Sequence, residues 1–261
     1  MDLELTGRRA VVTGGSRGIG LATAKALAAE GADVALVARG ADALAAAVEA
    51  VRAHAGPDRT VVGLPADTGD DASVAALAAE AVRALGGVDI LVNAAATPSP
   101  GSFPEDTLEE EFNVKVRGYL RTARAFAPAM AERGWGRIIN VSGLAARQTG
   151  SVVGSVRNVA VAALSKNLAD ELGPQGVNVV VVHPGLTRTE KTPQTLATMA
   201  ANRGVSVEDV ERAAAAGISI GRLVTAEEVA DVITFLASPK SVALNGDPVV
   251  AGGGALGPIF Y

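Results

Sequence analysis

Thr13-Gly14-Gly15-Ser16-Arg17-Gly18-Ile19-Gly20 follows the apolar run Ala10-Val11-Val12 and leads into Ile19, Ala22, Thr23, Ala26 and Leu27 at helical spacing. The stretch reads as a strand, a tight glycine turn and a helix N-terminus. Unpaired backbone N–H groups and the positive end of the helix dipole make such a junction an anion site. Gly14 lets the chain turn sharply, Gly18 lets the backbone approach a pyrophosphate, and Gly20 allows close helix–strand packing. An ordinary strand-to-helix loop has the same local appearance, so the surroundings must decide.

Outward from the turn, Asp33-Val34-Ala35-Leu36-Val37 reads as a second strand, followed by a helical stripe at Leu44, Ala47, Val48 and Val51. Val61-Val62-Gly63-Leu64 is a short third strand ending at Pro65-Ala66-Asp67. The next helix carries Val74, Leu77, Ala78, Ala81, Val82 and Leu85 and stops at Gly86-Gly87. Asp89-Ile90-Leu91-Val92 is a fourth strand, and a polar, proline-rich loop from Thr97 to Asp106 precedes a long helix through about Met130. Arg137-Ile138-Ile139-Asn140-Val141 and Val177-Asn178-Val179-Val180-Val181-Val182 supply two more strands. Between them, Val156, Val159, Ala160, Ala163, Leu164, Asn167 and Leu168 mark one face of a helix. A final helix (Val229, Val232, Ile233, Leu236) leads to a last strand around Pro248-Val249-Val250.

This alternation predicts an α/β, Rossmann-like, doubly wound parallel sheet in a three-layer αβα arrangement, a single domain over residues 1–261. The segment from about 189 to 220 breaks the rhythm by adding helical material after the sixth strand. Ligands of open α/β sheets sit beyond the carboxyl ends of the strands. The insertion is therefore either a substrate lid or a structural excursion.

Composition agrees with a buried parallel sheet. Hydrophobic residues make up 49% and aromatics only 3%, so Ala, Val, Leu and Ile must build the core. The net charge of −5, with both signs interspersed, gives no electrostatic footprint for nucleic acid. The absence of cysteine excludes disulfides and thiolate ligands, and His54 and His183 are the only imidazoles, so no metal site is expected. The acidic start Met1-Asp2-Leu3-Glu4 lacks a signal-peptide pattern, and no apolar run approaches the ~18 residues of a membrane span. A cytoplasmic protein with a small-molecule substrate is expected.

Taken together, these pieces resemble the short-chain dehydrogenase/reductase family over nearly the whole chain. The residues that carry the resemblance are Thr13-Gly14 with Gly18-Ile19-Gly20, Asp67 after the third strand, and Asp89-Ile90-Leu91-Val92-Asn93-Ala94-Ala95-Ala96. Gly136-Arg137-Ile138-Ile139-Asn140-Val141-Ser142, Pro184-Gly185 through Thr189, and Gly246-Asp247 with Gly252-Gly253 complete it. The resemblance implies a dinucleotide held by Gly14, Ser16, Arg17, Gly18, Ile19 and Gly20 of the turn. It also implies Asp67 on the adenine amino group with Thr68 beside it, and Asn93 and Ala94 along the adenosine. Thr189 would touch the carboxamide, within the Pro184, Gly185 and Thr187 stretch. A carboxylate ending the second strand would favour NAD(H), whereas here Ala38 is followed by Arg39. Two guanidiniums, Arg17 and Arg39, can pair with a 2′-phosphate, which favours NADP(H) unless both are only solvated surface charges. The helices from Leu108 to Met130 and after Gly154 are, by resemblance, surfaces that pair copies, so a homo-oligomer, dimer or tetramer, is expected.

The family's chemistry uses a tyrosine, a lysine four residues later, a serine and an asparagine. Aligned on Ala163-Leu164-Ser165-Lys166-Asn167-Leu168-Ala169, the tyrosine position is Gly154 and the lysine position Asn158. Tyr119 and Tyr261 are the only tyrosines in the chain, so no local slip restores the pair. After the fifth strand the catalytic serine slot reads Gly143, with Ser142 one residue early. Counting back from Pro128 puts Lys115, not Asn113, at the asparagine position. Lysine and asparagine have traded places. Either Lys115 and Asn158 touch across one cavity, with Lys115 as general acid and Ser142 as donor to a carbonyl oxygen, or the exchange is drift.

Tyr119 fits core packing, and His183 fits a strand end before Pro184. Arg147, Arg157 and Arg188 either rim the pocket for an anionic substrate or are solvated. Three functions stay open: an NADP(H)-dependent oxidoreductase with an atypical active site, a catalytically silent NADP(H)-binding pseudoenzyme, and a non-redox enzyme using Lys115 on a carbonyl.

Overall fold

The computed structural model describes residues 1–96 and 105–257. The chain alternates β1 (Arg9–Thr13), α1 (Gly18–Ala29), β2 (Asp33–Ala38), α2 (Ala41–Arg52), β3 (Val61–Pro65), α3 (Asp71–Leu85) and β4 (Ile90–Asn93). Then come α4 (Glu105–Glu111), α5 (Gly118–Glu132), β5 (Gly136–Val141), α6 (Val152–Leu172), β6 (Val177–Pro184) and β7 (Thr187–Arg188). Helices α7 (Thr192–Arg203) and α8 (Val207–Ala216), strand β8 (Val224–Thr225), helix α9 (Ala226–Ala237) and strand β9 (Pro248–Ala251) complete it.

The seven long strands form one sheet in the order β3-β2-β1-β4-β5-β6-β9, every pair parallel. Period-two alternation sends successive β1 side chains to opposite faces. Ala10 and Val12 join the core under α1, α2 and α9, with Leu27, Leu44 and Ile233. Val11 joins the core under α3, α5 and α6, with Leu77, Phe126 and Leu172. Both faces are therefore covered, and the strands read as continuous apolar runs for that reason. The Rossmann-like doubly wound parallel sheet in three layers is the observed fold. The small pairing of β7 with β8 was not expected; two residues each leave no periodic signal.

Two expectations about helices need correction. The helix expected to run unbroken to Met130 contains a π-helical turn at Phe112–Arg117 between α4 and α5. There the Gly118 N–H donates to the Asn113 carbonyl, five residues back. Asn113 also donates from Nδ2 to Gly69 O (2.9 Å) and accepts at Oδ1 from Arg121 (2.9 Å), so a backbone carbonyl and a guanidinium outside the turn hold it. Such turns are rare inside helices and concentrate at functional sites. The loop expected from Thr97 to Asp106 falls largely outside the described residues.

In α6 the apolar face read from the sequence is the more open one, with Val156 and Val159 nearly half exposed. The buried face is Val153, Gly154, Asn158, Val161, Ser165 and Ala169. Periodicity is weak here because the inward face mixes glycine, asparagine and serine with Val153 and Val161, while Val152, Val156 and Val159 face outward. That rotation aims Asn158 at the end of β5.

Among the described residues no helix is long and apolar enough to cross a membrane.

Candidate active site

A groove of about 530 Å³ runs beyond the carboxyl ends of the central strands. One wall is the glycine turn, from Gly14 through Ser16, Arg17, Gly18 and Ile19 to Gly20. Arg39, Asp67, Thr68 and Ala94 form its far end, and Lys115, Ser142, Pro184 and Thr189 its near end. Arg39 lies 4.0 Å from Asp67 Oδ2, both side chains largely in solvent, so the arginine remains available to a ligand. Asp67 Oδ1 accepts from the Gly69 N–H (2.8 Å), which orients the carboxylate.

The junction fits a pyrophosphate. Its Gly18 N–H already donates to an anion, Glu190 Oε2, at 3.2 Å. Gly14 has a positive φ of 66°, and a Cβ there would stand 2.7 Å from Ala94 O. A Cβ at Gly20 would overlap the carbonyl of Gly14, backbone that cannot retreat. Gly20→Ala is accordingly expected to lose about 1–3 kcal/mol of stability together with anion binding at the turn. Gly40→Ala is the control, because nothing lies within 4 Å of its Cβ position. A thermal midpoint equal in both variants would count against the close packing of α1 on β1.

The near end of the groove holds a compact polar cluster. Lys115 Nζ donates to Ser142 O (2.9 Å) and to Asn158 Oδ1 (3.0 Å), across 43 residues of sequence. Ser142 Oγ turns back on the same residue, 3.0 Å from Asn158 O and 3.2 Å from Oδ1. Asn113, by contrast, is turned toward Gly69. Lys115 and Asn158 are 4% and 3% exposed, so an ammonium there has lost nearly all its hydration. Burial, and then the positive charge of Arg157, push the amine down to about 7, with Glu111 partly offsetting them. The amine therefore exchanges its proton in the neutral range, as an acid–base group must.

Two helical turns hold the lysine in place. Tyr119, four residues on, is buried and donates to Val141 O (3.0 Å), so its role is packing and burial raises its pKa. Arg157 on α6 pairs with Glu111 on α4. Arg188 pairs with Glu211. Arg157 and Arg188, two of the three arginines expected at the rim, are thus engaged within the chain. His183 is fully buried at the end of β6, its Nδ1 without a partner among the described residues. Burial and the charge of Arg147 hold it down at about 4, so the ring is neutral at physiological pH.

The Asn93 side chain is fully buried and is not part of the groove lining. Its Nδ2 donates to Asn140 Oδ1 (2.9 Å), and its Oδ1 accepts from Thr122 (2.8 Å). Asn140 donates in turn to Ser165 Oγ (2.9 Å), which donates to Val161 O (2.7 Å). This chain of side chains ties α5, β4, β5 and α6 together, and a buried network stabilises only when satisfied throughout, as here. The Thr187 hydroxyl donates to Gly185 O (3.1 Å). Glu190 was missed at the sequence level, because its contact with Gly18 spans 172 residues. Among the described residues no cluster of three or more acidic or imidazole groups is spaced to hold a metal ion.

Comparison with known proteins agrees with this architecture. The short chain dehydrogenase family matches residues 8–200. A short-chain reductase protein, NovJ of Streptomyces niveus, is 36% identical over 94% of this chain and 92% of its own length. L-sorbose reductase of Gluconobacter frateurii, solved with NADPH and L-sorbose, superposes with a TM-score of 0.92 at 30% identity, covering 99% of this chain and 100% of its own. A short chain dehydrogenase of Burkholderia cenocepacia in complex with NADP has a TM-score of 0.82 at 33% identity, covering 97% and 99%. A glycine turn on the first of seven parallel strands, and a family match over residues 8–200 around it, lead to one conclusion: the chain belongs to the short-chain dehydrogenase/reductase family of oxidoreductases.

Proposed function

We propose that this protein is an NADP(H)-dependent oxidoreductase acting on a carbonyl or alcohol substrate, with Lys115 as its proton donor and acceptor. One observation carries the reading: a buried lysine lines the groove while Ser142 O and Asn158 Oδ1 occupy two of its N–H groups. An ammonium has three N–H bonds, so one remains for a substrate oxygen. In this reading Gly154 and Asn158 stand where the family places tyrosine and lysine, and Lys115 does the work of both. Ser142 and Asn158 hold and orient the amine, and Ser142 is the nearest hydroxyl for the substrate oxygen once it releases Asn158.

The bound dinucleotide supplies the hydride. In reduction, hydride adds to the carbonyl carbon, the C=O π pair moves to oxygen, and Lys115 Nζ delivers its proton to that oxygen. The amine then regains a proton from solvent. Reduction needs the ammonium, so its rate falls as pH rises through about 7, and oxidation runs the other way.

Arg17 and Arg39 support NADP(H) over NAD(H), as does the absence of a carboxylate at Ala38. Calorimetric titration of NADPH and NADH tests this: NADPH should bind more tightly. Arg17→Ala with Arg39→Ala should reduce that preference roughly tenfold to a hundredfold, the worth of charge-assisted hydrogen bonds. Binding of neither cofactor would overturn the reading. The Ser142 hydroxyl turned onto Asn158 favours one second reading, a dinucleotide-binding protein without turnover. Val152, Val156 and Val159 leave an exposed apolar stripe on α6, which supports pairing with a second copy as a dimer or tetramer.

A further inference from the structure

The anion already at the glycine turn belongs to the chain itself. Helix α1 has no acidic residue in its first turn, and Arg17 at its N-cap supplies no side-chain acceptor. Glu190 provides that carboxylate, accepting from the Gly18 N–H at 3.2 Å. It enters from a rigid turn. The Thr189 N–H donates to Thr192 Oγ1 (2.7 Å), which donates onward to Thr187 O (3.0 Å). The Thr189 methyl lies against Gly18, 3.6 Å from its Cβ position. Thr192 opens α7, so the Glu190 contact ties the start of the α7–α8 segment to the N-terminus of α1.

We propose that Glu190 is an internal competitor for the pyrophosphate site and that a dinucleotide must displace it, releasing the tether on α7–α8. This rests on the dinucleotide reading above. The physical reason is that one N–H and one dipole end serve a single anion at a time, and two anions there repel. The segment from 189 to 220 then acts as a lid whose position reports whether the cofactor is bound.

Glu190→Gln keeps the size and removes the charge, and the residue is exposed, so folding is not at issue. Titration of wild type and variant with NADPH, and separately with inorganic pyrophosphate, should show both ligands binding the variant roughly three- to tenfold more tightly. Limited proteolysis between residues 192 and 216 should be accelerated by NADPH in the wild type and already be fast in the ligand-free variant. Equal or weaker binding in Glu190→Gln, or identical cleavage rates without ligand, would overturn the tether alone. A wild type that binds neither nicotinamide dinucleotide would overturn the cofactor reading and this inference with it.

Discussion

Replacing Lys115 with alanine is expected to lower kcat by about 10²–10⁴, the usual contribution of a positioned acid–base group, while NADPH affinity stays within about threefold. The separation follows from the division of roles, because the glycine turn, Arg39 and Asp67 line the groove apart from the Lys115 cluster with Ser142 and Asn158. Unchanged turnover would remove Lys115 from the chemistry. Lys115→Met adds a test that needs no substrate. Folded, the amine releases its proton near 7, against 10.5 in an unfolded chain. Between those values the unfolded state binds more protons, so wild-type stability rises with pH. Below 7 the wild type carries the full cost of a buried ammonium. Methionine fills similar space without that charge, so the variant should be the more stable protein at pH 6, with a gap that narrows by pH 9. A gap independent of pH would mean that burial does not depress this amine. A residue that costs stability where it sits and is needed for turnover is the signature of a functional position.

The Glu111–Arg157 pair is expected to give the largest loss of stability. The side chains are 3% and 12% exposed, and Arg157 Nε has no partner among the described residues. Glu111→Gln would leave a guanidinium buried without its counter-charge, at about 3–5 kcal/mol. At roughly 2–4 °C per kcal/mol for a chain of this size, the midpoint should fall by about 10 °C. Replacing both, as Glu111→Leu with Arg157→Met, should recover much of the loss, because the penalty comes from the unpaired charge. The same variants act on Lys115. Arg157 pushes its pKa down and Glu111 raises it. Glu111→Gln should therefore move the pH at which reduction fails below that of the wild type, and Arg157→Met should move it above. A pH profile unmoved by either would mean that the pair is structural only.

Much of the fold was legible because its signals are local. The run into Gly14, the alternation of short apolar strands with helices, and the stop at Gly86 are determined by residues adjacent in the chain. The groove residues of the glycine turn followed directly, since a helix N-terminus is an anion site wherever it occurs. Lys115 and Asn158 were legible as polar residues on two separate helical segments. What those residues do to each other was not. Asn93 shows the limit: nothing adjacent in the chain says that its side-chain amide bonds to Thr122 and Asn140. The buried face of α6 was not legible, because it mixes Val153 and Val161 with Gly154, Asn158 and Ser165.

By itself the sequence determined the layer order, the anion-binding turn, the arginines suited to a phosphate and the lack of cysteine chemistry. Each depends on residue type and on spacing within one or two elements. Tertiary structure alone decided that Lys115 meets Asn158 rather than solvent, that its amine titrates near 7, and that Glu190 sits on Gly18. Those outcomes depend on the π-helical turn that aims the lysine, the rotation of α6, and the return of the chain after β6. They are matters of distance and desolvation between segments 43 to 172 residues apart. Coulomb and hydration energies are set by such distances and not by sequence separation, so no pattern along the chain encodes them.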